Sequence, residues 1–268
     1  MSNNHEQYTM GYGPASTAMM INRTAQDHAT FLLSHLKAGM KVLDCGCGPG
    51  SLTLSLAEAL APGEVVGTDP EESQLELGRK EAARRGIANV RFERASIYEL
   101  PFADESFDAV CISAVMGNLQ DPLRGLKEAR RVLVTGGVIG VKEFDHGGDL
   151  FYPNDPDMMR SIELYHRLRR HNGHDPESGR KVFGHLQQAG FRDSTVKAIY
   201  NTYSGSQVLQ EVGKLFALLI NEAFAEPFHR FGWATPEETE RMALAWQEFS
   251  RAPGAIYAQA WCEVLAWK

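Results

Sequence analysis

The sequence has no apolar run that could span a bilayer. Its longest one, Leu215–Ile220, falls far short of the roughly 20 residues that a membrane helix needs. None of its four cysteines is part of a CxxC pair, and the first seven residues have no apolar signal core. The chain also lacks an excess of positive charge: its formal net charge is −7, which argues against nucleic acid as the main partner. We therefore expect a cytoplasmic protein with reduced cysteines, no membrane insertion and a small-molecule substrate. The sequence leaves homo-oligomer formation open.

What the sequence does contain is a regular alternation of apolar runs and helical segments. Continuous apolar strands that are separated by helices indicate an α/β protein, with a mostly parallel sheet covered on both faces. The predicted strands span residues 41–45, 64–69, 90–94, 107–112, 137–143, 191–200 and 256–267. The predicted helices span residues 23–37 (capped by Asn22 or Thr24), 51–61, 71–85, 123–133, 156–171, 179–189, 205–224 and 236–250.

The most informative segment is the glycine-rich turn after the first predicted strand, Val42-Leu43-Asp44-Cys45-Gly46-Cys47-Gly48-Pro49-Gly50. Glycines allow a ligand to approach the backbone closely, and the following helix offers free N–H groups. A dinucleotide fingerprint would place a third glycine at Ser51, and a pyrophosphate would be repelled by Asp44. A ligand with an ammonium group would be attracted instead. S-adenosylmethionine carries such a group and no phosphate.

A second carboxylate supports this interpretation. Asp69 ends the second predicted strand, where an acidic residue of nucleotide-binding folds accepts hydrogen bonds from ribose hydroxyls. Two aspartates at matched ends of neighbouring strands, next to a glycine turn, favour an adenosyl ligand over a dinucleotide.

Four motifs then resemble those of class I S-adenosylmethionine-dependent methyltransferases, nearest to the ubiquinone/menaquinone-biosynthesis branch. They are VLDCGCGPG, VVGTDP, LPFADESFDAV and EARRVLVTGG, within residues 23–143. The resemblance implies a Rossmann-like, mostly parallel seven-stranded sheet, with an N-terminal helical lid and C-terminal helical cap insertions. It implies a single domain, with a lid at residues 1–38, a cofactor-binding core at 39–145 and, at 146–268, a substrate cap with the last two strands.

The resemblance also implies which residues hold the cofactor. Asp44, Gly46 and Gly48 would face its methionine part, with Cys47 in the same turn, and Asp69 would face the ribose. Pro70 and Gln74 would flank the adenosine, Ser96 and Ile97 would line the adenine, and Arg23 would reach the carboxylate. Ser113 and Asn118 would contribute from the loop after the fourth strand. Tyr8 and Tyr12 could cover the sulfonium from the N-terminal segment, since aromatic rings attract cations; their alternative is a tail without a ligand.

Two segments depart from the family pattern. Arg94-Ala95-Ser96-Ile97 has no acidic residue for the adenine amino group, although a serine hydroxyl can accept the same hydrogen bond. Ser113–Leu119 replaces the usual histidine-containing H-x-L-x-H-L segment. The second departure points to a substrate or a reaction that differs from the quinone type.

The catalytic candidates follow the fifth predicted strand. His146 could act as a general base, because the pKa of histidine lies near neutrality, and Asp145 precedes it. Its alternative is a loop histidine that is hydrogen-bonded to the backbone. Tyr152 could line the acceptor pocket. We expect no metal site: His166, His171 and His174 are predicted to lie on a helix surface.

The expected reaction is methyl transfer to a small, partly apolar acceptor. One alternative is an S-adenosylmethionine-using enzyme with other chemistry, such as an intramolecular cyclisation that releases methylthioadenosine. Two others are a protein that binds the cofactor without catalysis and a nicotinamide-dependent oxidoreductase, which Asp44 and the missing third glycine oppose.

Overall fold

A computed structural model describes residues 8–268 of the chain. The first seven residues, where we expect no signal core, lie outside this range. The strands are β1 (Val42–Cys45), β2 (Val65–Asp69), β3 (Val90–Arg94), β4 (Phe107–Ser113), β5 (Leu133–Phe144), β6 (Leu150–Tyr152), β7 (Arg192–Ser204) and β8 (Ile256–Trp267). The helices are α1 (Pro14–Met20), α2 (Ala25–His28), α3 (Thr30–Leu33), α4 (Ser51–Leu60), α5 (Glu72–Arg85), α6 (Pro122–Val132), α7 (Pro156–His171), α8 (Gly179–Gln188), α9 (Ser206–Leu219), α10 (Ala225–Arg230) and α11 (Pro236–Phe249). No helix within residues 8–268 is both long and apolar enough to cross a membrane.

The chain folds into two compact units. The larger unit contains residues 20–144, 178–199 and 262–268, and the smaller one contains, of the described residues, 8–19, 145–177 and 200–261. The predicted lid, residues 1–38, is therefore divided between them after Met19, and residues 178–199 of the predicted cap belong to the larger unit. The division into lid, core and cap stays a prediction.

The larger unit is built on the predicted parallel sheet. Its strands lie in the order β3-β2-β1-β4-β5-β8, and β7 pairs with β8. In the parallel register Asp44 lies opposite Gly67 on one side and Cys111 on the other, so the carboxyl ends of β1, β2 and β4 lie together. All residues of β1 and β2 are buried, as is typical of strands covered on both faces.

The strand count exceeds the predicted seven by one. The additional strand, β6, has three residues and belongs to the smaller unit, where Leu150 pairs antiparallel with Ala258 of β8. Three residues are too few for a periodicity signal.

The predicted helix over residues 23–37 is wrong, because the structure has two four-residue helices, α2 and α3, joined at Ala29. Thr24 caps α2 as predicted, since its hydroxyl accepts a hydrogen bond from the backbone N–H of Asp27. A tertiary contact competes with the continuous helix: the carbonyl of Asp27 accepts a hydrogen bond from Nζ of Lys142, 3.0 Å away.

The smaller unit is mainly helical and has its own aromatic core. Trp246 of α11 is fully buried, stacks on Phe216 of α9 at 4.1 Å between ring centroids, and donates its indole N–H to Oγ of Ser161, 2.9 Å away on α7. The predicted helix over residues 205–224 ends its regular part at Leu219 and continues as a π-helical turn, Ile220–Phe224.

Candidate active site

The glycine-rich turn of the larger unit has the backbone that only glycine adopts easily. Gly46 and Gly48 have φ angles of +72° and +53°. The N–H groups of Gly46 and Cys47 both donate to the carbonyl of Thr68, at 2.7 and 3.0 Å. A Cβ atom at Gly46 would lie 2.4 Å from Cγ2 of Val115, so any side chain there would displace the loop after β4. The glycines therefore permit the backbone conformation of the turn, and the neighbouring Val115 leaves no room for a side chain at Gly46.

Asp69 joins the end of β2 to this turn. Its Oδ2 accepts the N–H of Gly48 and its Oδ1 accepts the N–H of Glu71, both at 2.9 Å. Burial raises the pKa of Asp69, and these two backbone donors oppose the rise. Each carboxylate oxygen still has a second lone pair, which a hydroxyl of a ligand can use. Asp69 thus has a structural role that its sequence position did not reveal.

Asp44 is more deeply buried, at 1% exposure. Its Oδ2 accepts the hydroxyl of Thr53, 2.7 Å away on α4. Burial raises the pKa of Asp44 to about 6; the hydrogen bond from Thr53 opposes this, the charge of Asp69 adds to it, and that of Arg23 opposes it. A buried carboxyl of this kind gains most when a cation is placed beside it.

Asp44 lies in a narrow cleft of the larger unit. The cleft is lined by Met20, Arg23, Asp44, Gly46, Cys47, Ser51, Leu52 and Ser113. The buried side-chain atoms without a hydrogen-bond partner among the described residues include Oγ of Ser113, which lines this cleft, and Oε1 of Gln74, which does not. Within the cleft, Oγ of Ser113 and the carboxylate of Asp44 fit a ligand with several polar groups, including a cation.

The other predicted cofactor residues of this unit have varied environments. Arg23 lines the cleft, and its guanidinium lies 5.9 Å from the ring centroid of Phe144. Oγ of Ser96 accepts the N–H of Tyr98 at 3.3 Å, and Ile97 is buried in the core. The carbonyl of Pro70 accepts Nε of Arg94 at 3.0 Å, and Nδ2 of Asn118 donates to the carbonyl of Ala114 at 3.1 Å. Their cofactor contacts remain predictions.

The cysteines are buried thiols. All four are free and buried, and burial raises the pKa of Cys45, Cys47 and Cys111. Within residues 8–268 no group of three or more histidine, cysteine, aspartate or glutamate side chains is placed to hold a metal ion.

In the smaller unit, His146 pairs with a carboxylate that sequence reasoning missed. Its Nδ1 lies 3.1 Å from Oδ2 of Asp149, and its side chain is 11% exposed. Asp149 also accepts the N–H of Ala260 on Oδ1 at 2.8 Å and the hydroxyl of Tyr257 on Oδ2 at 3.3 Å. An ionised carboxylate only accepts hydrogen bonds, so Asp149 requires a proton on Nδ1 and leaves Nε2 of a neutral His146 as the basic atom.

Aromatic side chains surround this histidine. The ring centroids of Tyr165 and His166 lie 5.8 and 5.5 Å from that of His146. Burial, together with the charges of His146, Arg170 and Arg169, lowers the pKa of His166 to about 3, so His166 is neutral at physiological pH. The spacing between His146 and Asp149, three residues apart on one turn, was the signal that could have identified the pair.

The other candidates of this unit have different environments. Asp145 is buried and its backbone N–H donates to the carbonyl of Ala260 at 3.0 Å. The side chain of Tyr152 is 61% exposed on β6. The rings of Tyr8 and Tyr12 lie 5.3 Å apart. The predicted surface position is wrong for His174, which is buried because its Nδ1 bonds to Oγ1 of Thr9 at 2.6 Å.

The fold and the cleft define a class of protein that comparison with known sequences identifies. The model of the methyltransferase domain matches residues 36–203, more than half of the chain, and the protein belongs to this family. It is an S-adenosylmethionine-dependent methyltransferase, as the resemblance of its motifs implied. The oxidoreductase alternative has no support from this match.

Three relatives show how far the similarity extends. An uncharacterized methyltransferase of Schizosaccharomyces pombe is 31% identical over 202 residues, which cover 72% of each chain. A protein of Aspergillus luteorubrus that is named as a probable methyltransferase is 29% identical and covers 97% of each chain. Demethylmenaquinone methyltransferase of Staphylococcus aureus is 42% identical over 105 residues, which are 39% of this chain and 43% of that protein.

Two solved structures share the fold. An S-adenosylmethionine-dependent methyltransferase from Aquifex aeolicus has a TM-score of 0.53 at 20% identity, covering 70% of this chain and 92% of that one. The cyclase SpnF has a TM-score of 0.55 at 21% identity, covering 90% of this chain and 80% of that one. At these identities the likeness concerns the fold and not the reaction.

Proposed function

We propose that this methyltransferase acts on a small, partly apolar acceptor with an ionisable hydroxyl, whose proton is taken by His146. The observation that carries the proposal is the pairing of His146 with Asp149. S-adenosylmethionine contains the leaving group of the reaction, so methyl transfer requires a base only when the nucleophile binds in its protonated form. A histidine that a buried carboxylate holds with Nε2 basic is suited to that task.

The surroundings of His146 support an aromatic or otherwise apolar acceptor. Tyr165 packs against Phe224 at 5.0 Å between centroids and against His146, and His166 adds a neutral ring. Such rings bind flat apolar groups well. An acceptor such as a phenol combines a ring for these contacts with a hydroxyl for His146.

Cofactor binding is proposed for the larger unit. Bound S-adenosylmethionine supplies an activated methyl group. Asp44 attracts its ammonium group, Asp69 accepts hydrogen bonds from its ribose, and Arg23 pairs with its carboxylate. The unpaired Oγ of Ser113 and Oε1 of Gln74 are suited to its remaining polar groups. The glycines of the turn allow the ligand to approach the backbone closely.

Quinols are the first acceptors to test within this class. The S. aureus relative is named for demethylmenaquinone, and a quinol has an aromatic ring with hydroxyl groups. That similarity covers only 39% of this chain, and the segment Ser113–Leu119 departs from the family pattern. We therefore propose the hydroxylated aromatic class and treat a quinol as one member of it.

The test is a product assay by mass spectrometry. The protein is incubated with S-adenosylmethionine and pairs of phenols or quinols with and without a masked hydroxyl. We expect S-adenosylhomocysteine and a methylated product only from the free hydroxyl compounds. Turnover of masked and free compounds alike would contradict a role for the hydroxyl. Methylthioadenosine as the cofactor product would contradict methyl transfer and favour the cyclisation chemistry.

A further inference from the structure

Lys142 is a buried charged residue near the carboxyl end of β5 that the proposed reaction does not use. It is 1% exposed and lies opposite Ser113 in the register of β4 and β5. Its Nζ donates to the carbonyl of Asp27 at 3.0 Å and pairs with Oε1 of Glu263 on β8 at 3.1 Å. Burying an ammonium group is costly even when it is paired, so such a pair is weak evidence for a role in stability. The alternative is that Lys142 holds the segments it contacts in one particular position.

Lys142 contacts a segment that forms one side of the cofactor cleft. Residues 20–28, which we name the N-terminal wall, include Met20 and Arg23 of the cleft. Internal hydrogen bonds hold the wall together: Arg23 N–H donates to the carbonyl of Met20 at 3.2 Å, and Thr24 caps α2. The wall is attached to α4 where the N–H of Ala25 donates to Oγ of Ser55 at 2.9 Å.

Side chains alternate between the two faces of β5, and two of them on one face contact the N-terminal wall. Side chains two residues apart in a strand lie on the same face, so Lys142 and Phe144 share a face and Glu143 lies on the other. Lys142 bonds the wall at Asp27, and Phe144 lies below the guanidinium of Arg23, at 5.9 Å. Glu143 accepts the N–H of Met116 at 2.8 Å, in the loop that closes on Gly46.

We propose that Lys142 is a positioning residue for the cofactor cleft. Its bond to the carbonyl of Asp27 fixes the N-terminal wall on the sheet, so that Met20 and Arg23 keep their places beside Asp44. An apolar side chain of the same length would fill the volume but leave that carbonyl without its partner. The inference rests on the proposed placement of S-adenosylmethionine in this cleft.

The test compares two neutralised ion pairs of the same sheet. Lys142→Met with Glu263→Gln removes the buried pair without a change in net charge. Lys41→Met with Glu64→Gln does the same to the pair of Lys41 and Glu64, which is 3.3 Å long and partly exposed. We expect the first variant to bind S-adenosylhomocysteine about tenfold more weakly, the order of one charged hydrogen bond, and the control to bind it as the wild type does. Affinity is measured by calorimetry on folded protein.

Two further readouts separate positioning from a general loss of stability. Amide hydrogen exchange of residues 20–28 should become faster in the Lys142→Met variant while exchange in β1 stays slow. In a double-mutant cycle with Arg23→Ala, the two effects on affinity should not add, because Lys142 acts through Arg23. If the methionine variant does not fold, Lys142→Gln with Glu263→Gln replaces it. Glutamine is neutral and one atom shorter, so it loosens the same bond.

Wild-type affinity together with unchanged exchange in a folded variant would overturn the inference, as would fully additive effects in the cycle. A different pattern would count against the cofactor placement itself. If Arg23→Ala and Asp69→Ala both bind S-adenosylhomocysteine as the wild type does, the ligand lies elsewhere. The two failures are therefore distinguishable.

Discussion

Lowering the pH from about 7 to about 5 should weaken the binding of S-adenosylhomocysteine about tenfold, because Asp44 takes up a proton. In the free protein the pKa of Asp44 is about 6, chiefly because the side chain is buried. An ammonium group beside the carboxyl favours its ionised form and returns the pKa toward the ordinary value of 3.8. Protonated Asp44 must lose its proton before it can attract the ligand. The free energy of this deprotonation lowers the measured affinity.

The magnitude follows from the two pKa values. At about pH 7 Asp44 is mostly ionised in both states, so the affinity is nearly independent of its titration. At about pH 5 roughly nine in ten free molecules hold the proton and few complexes do, which gives the factor of about ten. The ligand amino group stays protonated over this range, since α-amino groups titrate at about 8.

The assay is calorimetric titration of S-adenosylhomocysteine at several pH values, with Asp44→Asn as the control. Asparagine can still accept the hydroxyl of Thr53 but does not titrate. Its affinity should be lower than that of the wild type at pH 7 and should not change further through Asp44 on acidification. Equal pH dependence in both proteins would refute the reasoning and assign the effect to another group.

The same pKa shift predicts an effect on stability in the absence of ligand. The native state holds the Asp44 proton more tightly than the unfolded chain, so the free energy of unfolding falls as the pH rises from 3.8 to about 6. The contribution is about 3 kcal/mol in total and is present in full below pH 3.8. Asp44→Asn should therefore raise the melting temperature at pH 7 and have a smaller effect near pH 4.

Three further variants test the site. Gly46→Ala should lower the melting temperature and the affinity for S-adenosylhomocysteine, because its Cβ would lie 2.4 Å from Val115 at a φ of +72°. Val115→Ala in the same protein should restore part of the loss. An unchanged melting temperature and affinity in Gly46→Ala would mean that the turn tolerates a side chain. Asp69→Ala should weaken binding by roughly 1.5–3 kcal/mol in the same titration, whereas unchanged binding would show that the ligand does not contact Asp69. His146→Asn should lower kcat by about 10²–10⁴ and leave S-adenosylhomocysteine affinity intact, with the exposed His171→Asn as control; a variant of His146 that keeps its kcat would exclude it as the base.

Local sequence signals were sufficient for the parallel sheet. β1, β2 and β4 are short, largely apolar segments, and each is followed by a turn or a helix signal within a few residues. A short apolar segment between turn signals is typical of a strand that is buried on both faces. The hydrophobic pattern and the turn signals therefore agree with the observed sheet. The glycine turn was identifiable for the same reason, since positive φ angles require glycine at particular positions.

Where the predictions were wrong, contacts distant in sequence decided the outcome. The helix over residues 23–37 is interrupted where Lys142 bonds the carbonyl of Asp27, 115 positions earlier. His174 is buried because Thr9 bonds it across 165 positions. No pattern within a helix-length window contains either partner.

The sequence by itself determined the class of fold and the chemistry of the glycine turn, because these depend on periodicity and on the backbone freedom of single residues. Only the tertiary structure decided that Asp69 is bonded to the turn and that Lys142 bonds the N-terminal wall. Hydrogen bonds between side chains and distant backbone groups depend on where the folded chain brings them together, and local residue preferences carry no record of that.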